Sequence, residues 1–150
     1  MRIIITGANG FAGREVVIAA LRRGHDVLAV GGSKAVVVPD LRRSITMDLC
    51  DIAAVQTLML EEFPQAVINC AALATIDGCD REPAKAEALN VDLPRRLAQL
   101  SFHVGAKCIH LSTDMVFDGE TGRYGNTATP SPLHLYGRTK AAGDVEVLMY

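Results

Sequence analysis

Short apolar runs and amphipathic stretches alternate along this chain. Ile3-Ile4-Ile5 is an unbroken apolar run ending at Gly7, the pattern of a strand buried on both faces. From Phe11 to Leu21 the apolar positions take helical spacing, and Gly24 stops them. Val27 to Val30 predicts a second strand, broken by Gly31-Gly32, and Ile45-Thr46-Met47 a third, weaker one. Asp51 is placed to cap a helix through Leu60, which Pro64 follows. Ala66 to Cys70 predicts a fourth strand, and Ala71 to Pro83, with Gly78 inside it, a loop. Ala84 to Phe102 has helical spacing with Pro94 in its interior, so a kink or a break between two helices is expected. Lys107 to Leu111 predicts a fifth strand. A long polar stretch rich in Gly, Thr and Pro follows, Asp118 to Pro132, and Tyr136 to Met149 predicts a last helix.

Strands and helices alternating at these lengths imply right-handed crossovers and a parallel sheet. The expected class is α/β, a three-layer Rossmann-type sandwich, with residues 1–150 forming one nucleotide-binding domain. A complete sheet of this kind commonly has six strands. Five are predicted, and the sequence ends just after a helix, so the expectation is a fold truncated after that helix.

Composition narrows the function. The 150 residues suffice for a real core, and 49% are hydrophobic, which argues against disorder. The formal net charge is −2, and the arginines fall in scattered pairs (Arg22-Arg23, Arg42-Arg43, Arg95-Arg96) rather than a basic stripe, so a nucleic-acid partner is not expected. None of Cys50, Cys70, Cys79 and Cys108 stands at CxxC spacing, so no metal site is indicated. Cys70 and Cys108 lie in apolar runs and are expected to be buried thiols. With neither a charged leader nor a long apolar segment, the expectation is a cytoplasmic protein without a membrane span.

The strongest chemistry lies at the first strand–helix junction. Gly7, Gly10 and Gly13 stand at GxxGxxG spacing between an apolar strand and an amphipathic helix. Gly7 would permit the sharp turn, Gly10 close approach of backbone to a pyrophosphate, and Gly13 tight packing of helix on strand. The helix N-terminus adds N–H donors and partial positive charge. NAD sites place a carboxylate at the end of the second strand, for the ribose 2′-OH. Here Gly31-Gly32-Ser33-Lys34 offers no acid but a hydroxyl and a cation. That suits a 2′-phosphate, so NADP is expected over NAD, with an ordinary polar turn as the plainer reading. Asp48, after the third strand, is read either as an acceptor for an adenine amino group or as a helix cap.

Tyr136 and Lys140 form a YxxxK pair, i and i+4 on one helix face. Reduction of a ketone needs a hydride and a proton, and a phenol with a pKa near 10 is a sluggish acid at neutral pH. An ammonium about 5 Å away, at an effective dielectric near 20, favours the phenolate by roughly 3 kcal/mol. The lysine can also hold a nicotinamide ribose. Ser112 or Thr113, at the end of the fifth strand, can donate a hydroxyl to the carbonyl, or can simply cap the strand end. His110 is read as a packed strand residue, and His134 and Tyr124 as loop residues.

The strings T-G-A-N-G-F-A-G, N-C-A-A, L-S-T-D-M-V-F-D-G and P-L-H-L-Y-G-R-T-K-A-A-G-D together resemble the extended short-chain dehydrogenase/reductases, and within them the dTDP-4-dehydrorhamnose reductase subgroup. The resemblance covers essentially the whole chain. It implies NADPH-dependent reduction of a 4-keto nucleotide-sugar by a triad of Thr113, Tyr136 and Lys140. It implies that Gly7, Asn9, Gly10, Phe11 and Gly13 line the pyrophosphate, that Asp48 and Leu49 flank the adenine, and that Ala71 and Ala72 lie along the cofactor. Asn90 matches a helix asparagine and Asp77 a loop residue near the substrate side. Leu73 and Gly78 depart from the family's usual histidine and lysine. Members are also longer, with a C-terminal domain that grips the sugar, so the expectation is that this domain is absent here. The alternatives are a nucleotide-sugar epimerase or dehydratase with the same triad, or a non-catalytic cofactor-binding subunit like the beta subunit of methionine adenosyltransferase. A homodimer is left open.

Overall fold

The computed structural model describes residues 1–150. Five strands form one sheet: β1 (Arg2–Thr6), β2 (Asp26–Gly31), β3 (Arg43–Thr46), β4 (Ala66–Asn69) and β5 (Lys107–His110). Their order is β3-β2-β1-β4-β5, and every pairing is parallel. The order reverses between β2 and β4 on either side of β1, where a doubly wound sheet opens a crevice beyond its strand ends.

Strand alternation builds the three layers. Ile3, Ile5, Val27 and Ala29 point to one face and pack with Val17 and Ala20 of α1 (Phe11–Arg22). Ile4, Leu28, Val30 and Val67 point to the other. There they meet Val55 and Met59 of α2 (Ile52–Glu62) and Leu93, Leu97 and Leu100 of α5 (Leu93–Val104). Successive side chains of a strand face opposite ways, so an all-apolar run is what a sheet covered on both sides requires. Asp51 caps α2 as expected, accepting from the Ala54 amide at 3.0 Å.

Three stretches differ from the sequence expectation. The segment after β4 is not all loop: α3 (Ile76–Arg81) forms inside it, capped by Thr75, whose hydroxyl accepts from Gly78 at 3.1 Å. Six residues are too few to show a helical period, so only the cap could have signalled it. The predicted helix over 84–102 is three pieces, α4 (Pro83–Glu87), a π turn (Ala88–Asp92) and α5, with Pro94 in the first turn of α5. Proline supplies no N–H to the carbonyl four residues back, and the wider turn absorbs the break. The strand end leads into a 3₁₀ turn (Asp114–Val116) before the polar stretch, and α6 spans Leu135–Val147. The cysteines are also redistributed. Cys79 is fully buried, whereas Cys70, just past β4, and Cys108, on the edge strand, are only half-buried. No helix is long and apolar enough to cross a membrane.

Candidate active site

A cleft of about 760 Å³ opens at the C-terminal ends of β1, β2 and β4. Its wall includes Gly7, Asn9, Gly10, Ser33, Asp48, Leu49, Ala71 and Ala72. At Gly7 the chain turns with φ +65°, and a Cβ there would stand 2.5 Å from the Ala71 nitrogen. Gly13 packs on the Gly7 carbonyl, which a Cβ would meet at 2.2 Å. The backbone at this corner thus has no room for side chains and lies open to a ligand. Gly10 caps α1 with no side-chain hydrogen bond, and the first turn carries no acid. The leading N–H groups of α1 are therefore free for an anion. These features fit a dinucleotide's pyrophosphate.

Individual residues sort further. The Asn9 amide donates to the Ala35 carbonyl at 2.9 Å, clamping the turn that carries Ser33 onto the glycine loop. Ser33 lines the cleft; Lys34 is exposed and does not. Phe11 is 95% exposed on the first turn of α1. Asp48 is no helix cap, because Asp51 takes that place; instead its carboxylate accepts from the Cys50 amide at 2.9 Å. Leu49 is nearly buried and shares the core with α2 and α5.

The other end of the site is built by β5, the 3₁₀ turn and α6. Gly137, next to Tyr136, lies against the 3₁₀ turn, where a Cβ would stand 2.2 Å from the Met115 carbonyl. This contact sets the half-buried Tyr136 beside the turn that Thr113 begins. The Thr113 hydroxyl caps that turn, accepting from Met115 at 3.3 Å, and donates to Asp114 at 3.2 Å. The Ser112 hydroxyl donates to Asp144. A second cavity of about 370 Å³ lies alongside, lined by Asp114, Phe117, Tyr124 and His134 among others. Tyr124 is not partnerless: it stacks on Phe117 with centroids 4.4 Å apart and donates to Asp118. Asp118 also accepts from Ser131 and Glu120, and these bonds, the tyrosine's foremost, hold its carboxyl down to about 2.

Lys140 is 2% exposed. Its amine reaches the Leu111 carbonyl at 2.5 Å and His110 Nε2 at 2.8 Å. Burial pushes the amine's pKa down, and Asp144 partly offsets this. The His110 side chain is 3% exposed, and its Nδ1 lies 3.0 Å from the Asn69 amide nitrogen. Burial, and then the neighbouring lysine, lowers the imidazole to about 4. His110 is packed, as the sequence suggested, but it is also bonded to Lys140. The link comes from the β4–β5 register, which sets Asn69 opposite His110, and sequence spacing does not carry it.

Residues 1–150 match the family model described as the RmlD substrate binding domain. The chain is 40% identical over 148 residues to a dTDP-4-dehydrorhamnose reductase of Streptomyces griseus, covering 98% of this chain and 45% of that protein. It is 38% identical over 147 residues to the methionine adenosyltransferase 2 subunit beta of Xenopus laevis, covering 98% and 42%. Among solved structures, the dTDP-4-dehydrorhamnose reductase of Bacillus anthracis in complex with NADP superposes with a TM-score of 0.82 at 30% identity, over 99% of this chain and 49% of that one. The chain thus spans about half the length of the curated relatives it matches.

Proposed function

The chain belongs to the RmlD substrate binding domain family, within the extended short-chain dehydrogenase/reductases, and from that premise we propose that it binds NADPH and serves the reduction of a 4-keto nucleotide-sugar, dTDP-4-dehydrorhamnose to dTDP-rhamnose. The observation that carries this reading is one line of sites. The glycine corner and the open N-terminus of α1 follow β1 and wall the cleft, while Thr113 follows β5 on the same edge of the sheet and the Lys140 amine reaches the Leu111 carbonyl there, which supports reading Thr113, Tyr136 and Lys140 as the reactive end. The nicotinamide would supply the hydride. Tyr136 would give the proton to the carbonyl oxygen, Thr113 would donate a hydrogen bond to that oxygen, and Lys140 would hold the ribose and tune the phenol. The cavity beside Thr113 would take the sugar. Ser33 and Lys34, in a turn that carries no acid, favour the 2′-phosphate.

Nicotinamide fluorescence titration of the chain with NADPH is the direct test. Saturable binding is expected, and its absence overturns the reading. In an NADPH-oxidation assay with a 4-keto nucleotide-sugar, Tyr136→Phe is expected to lower kcat by ~10²–10⁴ while cofactor affinity stays, since only the proton donor is lost. A second reading, a cofactor-binding subunit that acts through a partner, draws on the 38% identity to the methionine adenosyltransferase subunit. Tight NADPH binding without turnover across several keto-sugars would favour it.

A further inference from the structure

Buried hydrogen bonds at the base of Lys140 leave little freedom in where the protons sit. Asn69 Oδ1 accepts from the backbone N–H of Ala71 at 3.1 Å and from the Thr6 hydroxyl at 2.6 Å. A backbone N–H only donates, so the oxygen of this amide must face Ala71, and its NH₂ faces His110. His110 Nδ1 is then an acceptor, and the neutral ring carries its proton on Nε2. That N–H points at the Lys140 nitrogen 2.8 Å away. An ammonium has no lone pair to receive it, whereas a neutral amine accepts from Nε2 and donates to the Leu111 carbonyl, leaving no two donors face to face.

We propose that Asn69 and His110 are positioning residues for Lys140: Asn69 fixes the imidazole with its proton on Nε2, and that N–H holds the lysine as a neutral amine against the end of β5 in the free chain. This rests on the reading that Lys140 serves the cofactor and Tyr136, because the lysine must leave this partner, or take up a proton, to act as a cation there. The titratable groups that face the amine are His110 from β5 and, on α6 itself, Asp144, which also lies 3.7 Å from His110 Nε2, while β4 brings the uncharged Asn69 behind the imidazole. Burial disfavours the cation, consistent with the stored amine.

The test is NMR on the whole chain without cofactor. Long-range ¹⁵N–¹H correlation of the His110 ring is expected to show the proton on Nε2 at neutral pH. The Lys140 Cε resonance is expected to titrate below the ~10.4 of a free lysine. In His110→Gln the amide can turn its carbonyl to an ammonium, so the midpoint is expected to rise by about one pH unit. A ring proton on Nδ1 in the wild type overturns the proposal, and so does an ordinary lysine midpoint. A midpoint unmoved in a natively folded His110→Gln overturns it as well; should that variant not fold, the wild-type tautomer and midpoint decide. The underlying reading fails separately: Lys140→Met with undiminished NADPH affinity removes the cofactor role, whatever the ring tautomer.

Discussion

A side chain at position 7 has nowhere to go. Gly7 sits at φ +65°, and its Cβ would press on the backbone of Cys70 and Ala71 rather than on a movable side chain. Gly7→Ala is therefore expected to cost about 2–3 kcal/mol in urea denaturation and to abolish NADPH binding, because both the turn and the cleft wall shift. Lys34 makes a different kind of prediction. It stands exposed beside the cleft wall, so Lys34→Ala is expected to leave stability alone. If its ammonium meets a 2′-phosphate, the variant loses NADPH affinity by roughly ten- to a hundred-fold and keeps its NADH affinity. An equal loss for both, or none, makes it a turn residue. The glycine spacing was legible in the sequence because each glycine answers a local steric need. Asn9 as the clamp on Ala35 was not, because its partner lies 26 residues away across the sheet's switch point.

Between elements, one asparagine does what no single helix could. Pro94 denies the Asn90 carbonyl its usual partner, and the π turn leaves the Asn90 side chain fully buried. Its amide accepts from the Leu73 N–H at 2.9 Å and donates to the Leu73 carbonyl at 3.2 Å and the Thr139 hydroxyl at 3.0 Å. Gly143 lets α6 close on the Asn90 carbonyl, where a Cβ would stand at 2.0 Å. The loop after β4, the broken helix and α6 are thus pinned at one point, one residue from Lys140. Asn90→Ala leaves several buried polar groups unpaired and is expected to cost about 2–4 kcal/mol, read as a lower urea midpoint. Asn90→Asp should recover only part, since a carboxylate cannot donate to Leu73 and Thr139. The proline foretold a break here, but not its form. Whether a proline kinks, ends or widens a helix depends on what packs against the freed carbonyl, and α6 lies more than forty residues further along the chain. The central strands β1, β2 and β4, in contrast, were legible almost to the residue, because burial on both faces writes itself as an unbroken apolar run, whereas the exposed β3 begins two residues before the expected Ile45.

For the molecule as a whole, the sequence held the alternation of strands and helices and with it a parallel sheet, and the structure adds the order β3-β2-β1-β4-β5. What the sequence did not hold is that this order carries a neutral imidazole to the buried junction of β4, β5 and α6. That has a cost in acid. Free His110 titrates near 6.5 but the folded ring only near 4, so between those values the unfolded chain binds the extra proton and the native one does not. Stability therefore rises with pH across this window: it is full above about 6.5 and is lost as pH falls toward 4. With one pKa unit equal to ~1.4 kcal/mol, the loss is on the order of 3 kcal/mol. Lys140 has the same sign at the alkaline end, its depressed pKa favouring the native state as pH rises toward that of a free lysine. Asp118 has the same sign as His110 but acts at lower pH. Its carboxyl is held near 2 by Tyr124 and Ser131, so what it contributes is lost only as pH falls below about 4 toward 2, beneath the histidine window. Urea denaturation midpoints between pH 4 and 7 should therefore climb in the wild type and flatten in His110→Gln, which has no proton to exclude. A wild-type midpoint level across that range would mean that His110 takes its proton in the native state, and the buried contact with Lys140 would have to open to admit it.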